Sequence, residues 1–170
     1  AIVSGGQWSF TPTVALDDGV HNLRVYANDD AGNVSAPSPA FAITVDATPP
    51  ATPSVTGVLD DVGAITGQVG PGGITDDNRP TLSGTGEAGS TLHIKEGGNE
   101  IRTAGVTPGG TWTFTPTAAL NDGPHSLVIS ATDSAGNTSN DTVTVSLTVD
   151  TSAPAAPVVC LLYPSDAADD

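Results

Sequence analysis

GTWTFTPTAALNDGPHSLVISATDSAGNTS, running from Gly110 to Ser139, occurs once before in the same chain as GQWSFTPTVALDDGVHNLRVYANDDAGNVS, from Gly6 to Ser35. The offset is 104 residues without a gap, and it continues beyond the block. Val45-Asp46 matches Val149-Asp150, Pro50 matches Pro154 and Pro53 matches Pro157. A period of about 100 residues is too long for a solenoid unit and fits whole domains in tandem. With 170 residues the chain holds one complete repeat, the second half of another before it, and a short remnant after it. The expected division is 1–46 for the half repeat, 47–53 for a proline-rich linker, 54–150 for the complete repeat, 151–159 for a second linker and 160–170 for a tail. About 100 residues can bury one modest core. Half a sandwich leaves an apolar face without a partner.

Within the quoted stretch the apolar positions alternate. Trp112 and Phe114 share one face, as do Leu127, Ile129 and Ala131, and Asn121-Asp122-Gly123 is a turn signal between them. Thr142 to Val149 alternates Val143, Val145, Leu147 and Val149 against Thr and Ser. Upstream, the expected strands are Arg79–Thr85, Thr91–Lys95 and Glu100–Val106, with Gly97-Gly98-Asn99 as a hairpin turn. Ser54–Leu59 and Ala64–Thr66 read as one first strand interrupted at Asp60-Asp61, followed by a loop from Gly67 to Asn78. In the first unit Gln7–Thr11, with Trp8 and Phe10 on one face, reads as a half-buried strand, then His21–Ala27 and Ala40–Val45. About seven strands per repeat and no helical periodicity give an all-β, immunoglobulin-like β-sandwich.

The composition agrees. Thr, Val, Ser, Gly and Pro dominate and Met is absent, a palette of strands and turns rather than of helices. The formal net charge is −15, from 19 acidic residues against four basic ones. No basic patch exists to neutralise phosphate, so nucleic acid is not an expected partner. No apolar run approaches 18 residues, so no membrane insertion is expected in this segment. Catalysis finds no nucleophile elbow, paired Glu or HExxH-type spacing.

Sixteen of the acidic residues are Asp and three are Glu. Asp concentrated in loops serves either turn chemistry or Ca²⁺, which takes six to eight oxygen ligands. Carboxylates that converge without Lys or Arg repel one another unless a cation lies between them. Alternate threading of the strands puts Asp133–Asp141 at the top of the complete repeat and Gly67–Asn78, Asn121–Gly123 and Asp150 at the bottom. The joint between the units then brings Asp17, Asp18 and Asp46 to Asp133 and Asn137, with Asp60 and Asp61 near the break in the first strand. At the far end Asp76, Asp77, Asp122 and Asp150 face a following repeat. These eleven residues are the candidate calcium ligands, against a reading in which the Asp-Gly pairs are turns and Asp133 to Asn137 is a self-satisfied Asx turn. His21 and His125 occupy equivalent strand starts without a second His or Cys beside them, and read as hydrogen-bonded structural residues. Trp8 and Trp112 read as core, and Tyr26 alone as a loose candidate for a sugar platform.

The strings TDDNRPTLSGTGEAGSTLHI, GTWTFTPTAALNDGPHSLVISATDSAGNTS and LTVDTSAPAAP together resemble the bacterial Ig-like repeats of large secreted surface adhesins and biofilm-associated proteins. The resemblance runs from Ala1 to about Pro157. It implies an extracellular stalk or adhesive module, exported by type I secretion, with Ca²⁺ at the domain junctions. The partners it implies are neighbouring repeats of the same chain, with a host or surface ligand bound through other domains. Two alternatives stand beside the stalk: a module that itself recognises glycan or protein, and a non-catalytic spacer of a secreted polysaccharide-active enzyme. The tail, CLLYPSDAADD from Cys160 to Asp170, breaks the repeat. With one substitution at Pro164 it resembles a translated transposase-type sequencing adapter, which would leave Cys160 and Tyr163 without biological meaning.

Overall fold

The computed structural model describes residues 5–142 and 144–159. Eleven strands form three sheets, and no helix occurs among the described residues. The first unit contributes β1 (Gly19–Leu23) and β2 (Phe41–Val45), paired antiparallel with Gly19 opposite Val45. The complete repeat contributes β3 (Ser54–Asp60), β4 (Gly67–Gln68), β5 (Ile74–Thr75), β6 (Thr81–Thr85), β7 (Thr91–Glu96), β8 (Asn99–Gly105), β9 (Thr111–Phe114), β10 (Gly123–Thr132) and β11 (Val145–Val149). They form a four-stranded sheet, β4-β3-β6-β9, and a five-stranded sheet, β5-β11-β10-β7-β8. β5 runs parallel to β11, while the other pairings are antiparallel.

The core lies where the alternation puts it. Leu82, Leu92, Ile94, Leu127, Ile129 and Ala131 have no solvent exposure, and Trp112, Leu147 and Val149 have almost none. Each belongs to the inward register of its strand, with Ile129 opposite Ile94 and Ala131 opposite Leu92. Trp112 settles against the backbone of Gly84, where a Cβ would strike both its ring and the Ser54 carbonyl. Its Nε1–H donates to the Thr85 carbonyl at 3.1 Å, so the buried indole has a partner for its polar end. Gly97 and Gly98, with φ of 55° and 83°, make the two-residue turn between β7 and β8, a geometry that demands positive φ at both positions.

Three expectations are corrected. The first strand does not resume after Asp60-Asp61: the chain turns, and β4 comes back antiparallel to β3, with Asp60 opposite Gly67. The complete repeat therefore has nine strands, two of them only two residues long, cut from the expected Gly67–Asn78 loop. Gln7–Thr11 forms no strand, and Trp8 and Phe10 are 51% and 67% exposed rather than core. Their counterparts in β9 are held by pairing with β6, with Leu82 opposite Phe114 and Gly84 opposite Trp112. Among the described residues nothing equivalent to β6 reaches Gln7–Thr11. The expected strand from Thr142 is observed from Val145, and Val143 lies outside the described residues, as does the tail from Cys160.

Candidate functional site

The repeat extends to single hydrogen bonds. In the first unit Asp29 accepts from the amides of Ala31 and Asn33 and from the Asn33 side chain. In the second, Asp133 accepts from Ala135, Asn137 and the Asn137 side chain at 2.9 Å each. These are self-satisfied Asx turns, the plain alternative for this loop. The Asn137 side chain, ahead of the backbone amides, holds the Asp133 carboxyl below the ordinary aspartate range, and Asn33 does the same for Asp29.

Asn137 has a second role. Its Nδ2 also donates to the Asp46 carbonyl at 3.0 Å, across 91 residues and across the joint between the units. The structure thus brings together Asp46, Asp133 and Asn137, as the threading expected. The Asp46 carboxylate turns the other way and accepts from the Thr48 amide. In the linker beyond it Pro50 and Pro53 are buried, while Ala47, Thr48, Pro49, Ala51 and Thr52 are exposed. Asp17 and Asp18 do not bond to the Asp133–Asn137 loop. The Asp17 carbonyl accepts from His21 Nε2 at 2.7 Å, and the Asp18 carboxylate accepts from the Ala47 amide and the Thr48 hydroxyl.

The same pattern closes the complete repeat. His125 Nε2 donates to the Asn121 carbonyl at 2.8 Å. Asp122 accepts from the amide and hydroxyl of Thr151 and from the Ser152 hydroxyl, and Asp150 accepts from the Ser152 amide. Hydroxyl donors, Thr48 for Asp18 and Thr151 for Asp122, lead the causes that hold both carboxyls below their usual range. His125 differs from His21 in one respect: its Nδ1 also reaches Glu96 Oε1 at 2.7 Å. Burial works against its charged form, but the Asn121 carbonyl and the Glu96 carboxylate outweigh it and hold the pKa above the ordinary histidine value. Both ring nitrogens face acceptors, which only the doubly protonated ring can satisfy.

At the far end four of the candidate residues gather around Thr75. Its hydroxyl donates to Asp60 Oδ2 at 2.6 Å and accepts from the Asp77 amide at 3.0 Å, while its carbonyl accepts from the Asp150 amide at 2.9 Å. Asp60, Asp76 and Asp150 line one cavity of about 390 Å³, with Ile65 and Ile74 on its rim. Asp60 and Asp77 are 5% and 3% exposed. Asp77 Oδ1 accepts from the Arg79 amide at 2.7 Å, but its Oδ2 is buried without a hydrogen-bond partner. The Asp76 carboxylate lies over Gly63, where a Cβ would fall on it. Asp61 is exposed on the turn between β3 and β4. Asp60 thus belongs with Asp76, Asp77 and Asp150, a grouping that the break in the first strand concealed.

In kind, these hard oxygen donors suit Ca²⁺. In number they fall short, because among the described residues no three His, Cys, Asp or Glu converge to hold a metal ion. A larger cleft of about 670 Å³ opens between β3 and β11, and it is lined by Val, Thr, Ser, Gly, Pro and Gln without a charged group. It offers no acid, base or metal ligand for chemistry. Sequence reasoning missed Thr75 as a hub. It read His21 and His125 as hydrogen-bonded structural residues, which they are, and left unnamed their acceptor, the carbonyl four residues earlier in each copy.

Over 160 residues the chain is 32% identical to Exoglucanase B of Cellulomonas fimi; the match takes in 88% of this chain and 14% of that enzyme, so the chain spans about a seventh of its relative. A family model described as the bacterial Ig-like domain matches residues 1–47 and again 52–151, one match to each unit and a break at the linker. The chain therefore belongs to the bacterial Ig-like domain family.

Proposed function

We propose that the chain is a non-catalytic spacer from a large extracellular bacterial protein, a stalk segment of a surface or biofilm adhesin whose Ig-like units are held at set angles. The observation that carries this reading is the joint. Asn137 bonds across it to the Asp46 carbonyl, and Pro50 and Pro53 are buried within it. A tether meant only to give reach needs none of these contacts. The large cleft supports the non-catalytic part, since it has no titratable lining.

Calcium is the second part of the proposal, at the end formed by Asp60, Asp76, Asp77 and Asp150. The buried, unpartnered Asp77 Oδ2 supports it, since burying an acceptor without a partner is costly and a cation relieves that cost. Backbone carbonyls, water or a neighbouring unit would complete the coordination sphere. The likeness to an exoglucanase favours a second reading, a spacer inside a secreted polysaccharide-active enzyme. Both readings share the spacer and differ in what it separates.

Small-angle scattering on this chain, with calcium and with chelator, tests the joint. The proposal expects an unchanged fold and the same narrow range of dimensions in both, because hydrogen bonds hold the joint and the candidate ion lies at the far end of the complete repeat; dimensions that spread in chelator would put calcium at the joint, and a broad range in both would refute the set angle. Thermal melts locate the ion. At about 100 times its Kd a ligand adds about 2.7 kcal/mol. Calcium should therefore raise the Tm of the complete repeat, and Asp77→Asn should abolish that rise while the variant still folds. A calcium-dependent rise that survives in Asp77→Asn moves the ion elsewhere.

A further inference from the structure

The joint carries a device that needs no metal. Asp18 and Asp122 stand at equivalent positions, each immediately before the glycine that opens its strand. Gly19 has φ 134° and Gly123 φ 131°, and each lies opposite the valine that precedes the linker Asp. This register carries the carboxylate to the first residues of the linker. In the first unit it accepts from Ala47 N at 2.8 Å and from the Thr48 hydroxyl. In the second it accepts from Thr151 N at 3.0 Å, the Thr151 hydroxyl at 2.8 Å and the Ser152 hydroxyl at 2.8 Å. The hydroxyl two residues after the linker Asp is Thr in one copy and Ser in the other. Behind the carboxylate, the histidine bond to the carbonyl of Asp17 or Asn121 fixes the peptide leading into it.

Resting on the spacer reading, we propose that Asp18 and Asp122 are positioning residues that clamp the outgoing linker and set the direction in which the chain leaves each β-sandwich, rather than ligands of calcium. Each carboxylate has both oxygens engaged by N–H or O–H hydrogens. Those bonds satisfy the carboxylate without a cation. The clamp therefore works in chelator. Its effect differs between the copies: Asp18 orients the joint between the two units, whereas Asp122 orients only the chain beyond Asp150.

The test uses the whole chain, in calcium and in chelator, with Asp18→Ala, Asp18→Asn and Asp122→Ala. Amide hydrogen exchange followed by NMR reads the clamp itself. Asp18→Ala should speed exchange at Ala47 several-fold and leave Thr151 unchanged, with the reverse for Asp122→Ala; Asp18→Asn, which keeps one acceptor oxygen, should fall between. Pulsed dipolar distances between spin labels on the two units read the joint. Asp18→Ala should broaden them in both media and Asp122→Ala in neither. Unchanged Ala47 exchange in Asp18→Ala overturns the clamp, and so does broadening that appears only with calcium present, which would make Asp18 a metal ligand. A broad distribution already present in the unmodified chain, with Ala47 and Thr151 still protected, overturns the spacer reading and leaves the clamp standing. Circular dichroism checks each variant for folding, and the milder Asp18→Asn carries the test should Asp18→Ala unfold.

Discussion

Trp8 and Trp112 occupy the same position of the repeat, yet truncating them should carry very different costs. Trp112 is 1% exposed and packs across Gly84, between the two sheets of the complete repeat. A buried tryptophan removes about 150–250 Å² from water, worth roughly 4–6 kcal/mol at about 25 cal/mol per Å² as an upper bound. Trp→Ala in a core costs about 3–5 kcal/mol once partial collapse of the cavity is allowed for. The lost bond from Nε1 to the Thr85 carbonyl adds little, because Thr85 lies on the exposed side of β6 and water can replace the donor. Trp112→Ala should therefore cost about 3–5 kcal/mol, much of the stability of a domain of this size. Trp8 is 51% exposed, and Trp8→Ala should cost less than about 1 kcal/mol. Urea denaturation of the whole chain, followed by circular dichroism for both variants, measures the difference at constant m-value. Acrylamide quenching in Trp8→Phe and Trp112→Phe backgrounds separates the two indoles: Trp8 should quench freely and Trp112 poorly. Equal costs for the two truncations, or equal quenching, would refute the argument that burial at this position is supplied by β6.

Two further outcomes follow from the same geometry. Gly84→Ala places a Cβ against the Ser54 carbonyl and the Trp112 ring, neither of which can yield cheaply; the cost should be about 3 kcal/mol or more, a fall in Tm of roughly 12 °C or more for a repeat of this length, and a Tm within about 2 °C of the parent would contradict the packing. His125, whose folded pKa is raised, should contribute stability that is complete below about pH 6.5, the unfolded value, and is lost as pH rises through the folded value. With Glu96 a third exposed, the contribution is about 1 kcal/mol, and His125→Gln should remove that pH dependence from chemical denaturation curves taken from about pH 5 to about pH 9, which brackets the histidine value; a parent chain whose stability is flat across that range would dismiss the ion pair.

The sandwich was legible because its evidence is periodic. Leu92 and Ile94 alternate with Thr91, His93 and Lys95, Leu127, Ile129 and Ala131 keep the same spacing of two, and each landed inward as read. The joint was legible in outline, since alternate threading placed Asp46 near Asn137. What stayed hidden depended on partners outside the stretch being read. Trp8 has the sequence of a core residue, but among the described residues no strand like β6 pairs with its stretch. Asp60 looked like part of a bulged strand, because nothing local announces that β4 folds back on β3. The Asp-rich turns were ambiguous for a different reason. A carboxylate suited to calcium is equally suited to backbone amides and hydroxyls, and only distances separate the two uses. At Asp18, Asp122 and Asp133 the distances favour hydrogen bonds.

Comparison of the two units separates what is encoded locally from what needs a completed core. The Asx turn at Asp29 reproduces the one at Asp133, the His21 brace reproduces that of His125, and the Asp18 clamp reproduces that of Asp122. Even the bond from the Ala27 amide to the Ser35 hydroxyl oxygen returns as one from the Ala131 amide to Ser139. None of these bonds requires the second sheet, since the first unit forms them with Trp8, Phe10 and Phe41 all exposed. They lie within the two-stranded ribbon and its loops, where the donors are fixed by the register of β1 with β2 and of β10 with β11. The direction of the outgoing chain is therefore set by a handful of polar residues close to the joint. The apolar residues of the sandwich determine whether the repeat stands at all. Substitutions in the core should accordingly alter stability and leave the joint angle alone, whereas Asp18 and Asn137 should govern the angle at little cost to the fold.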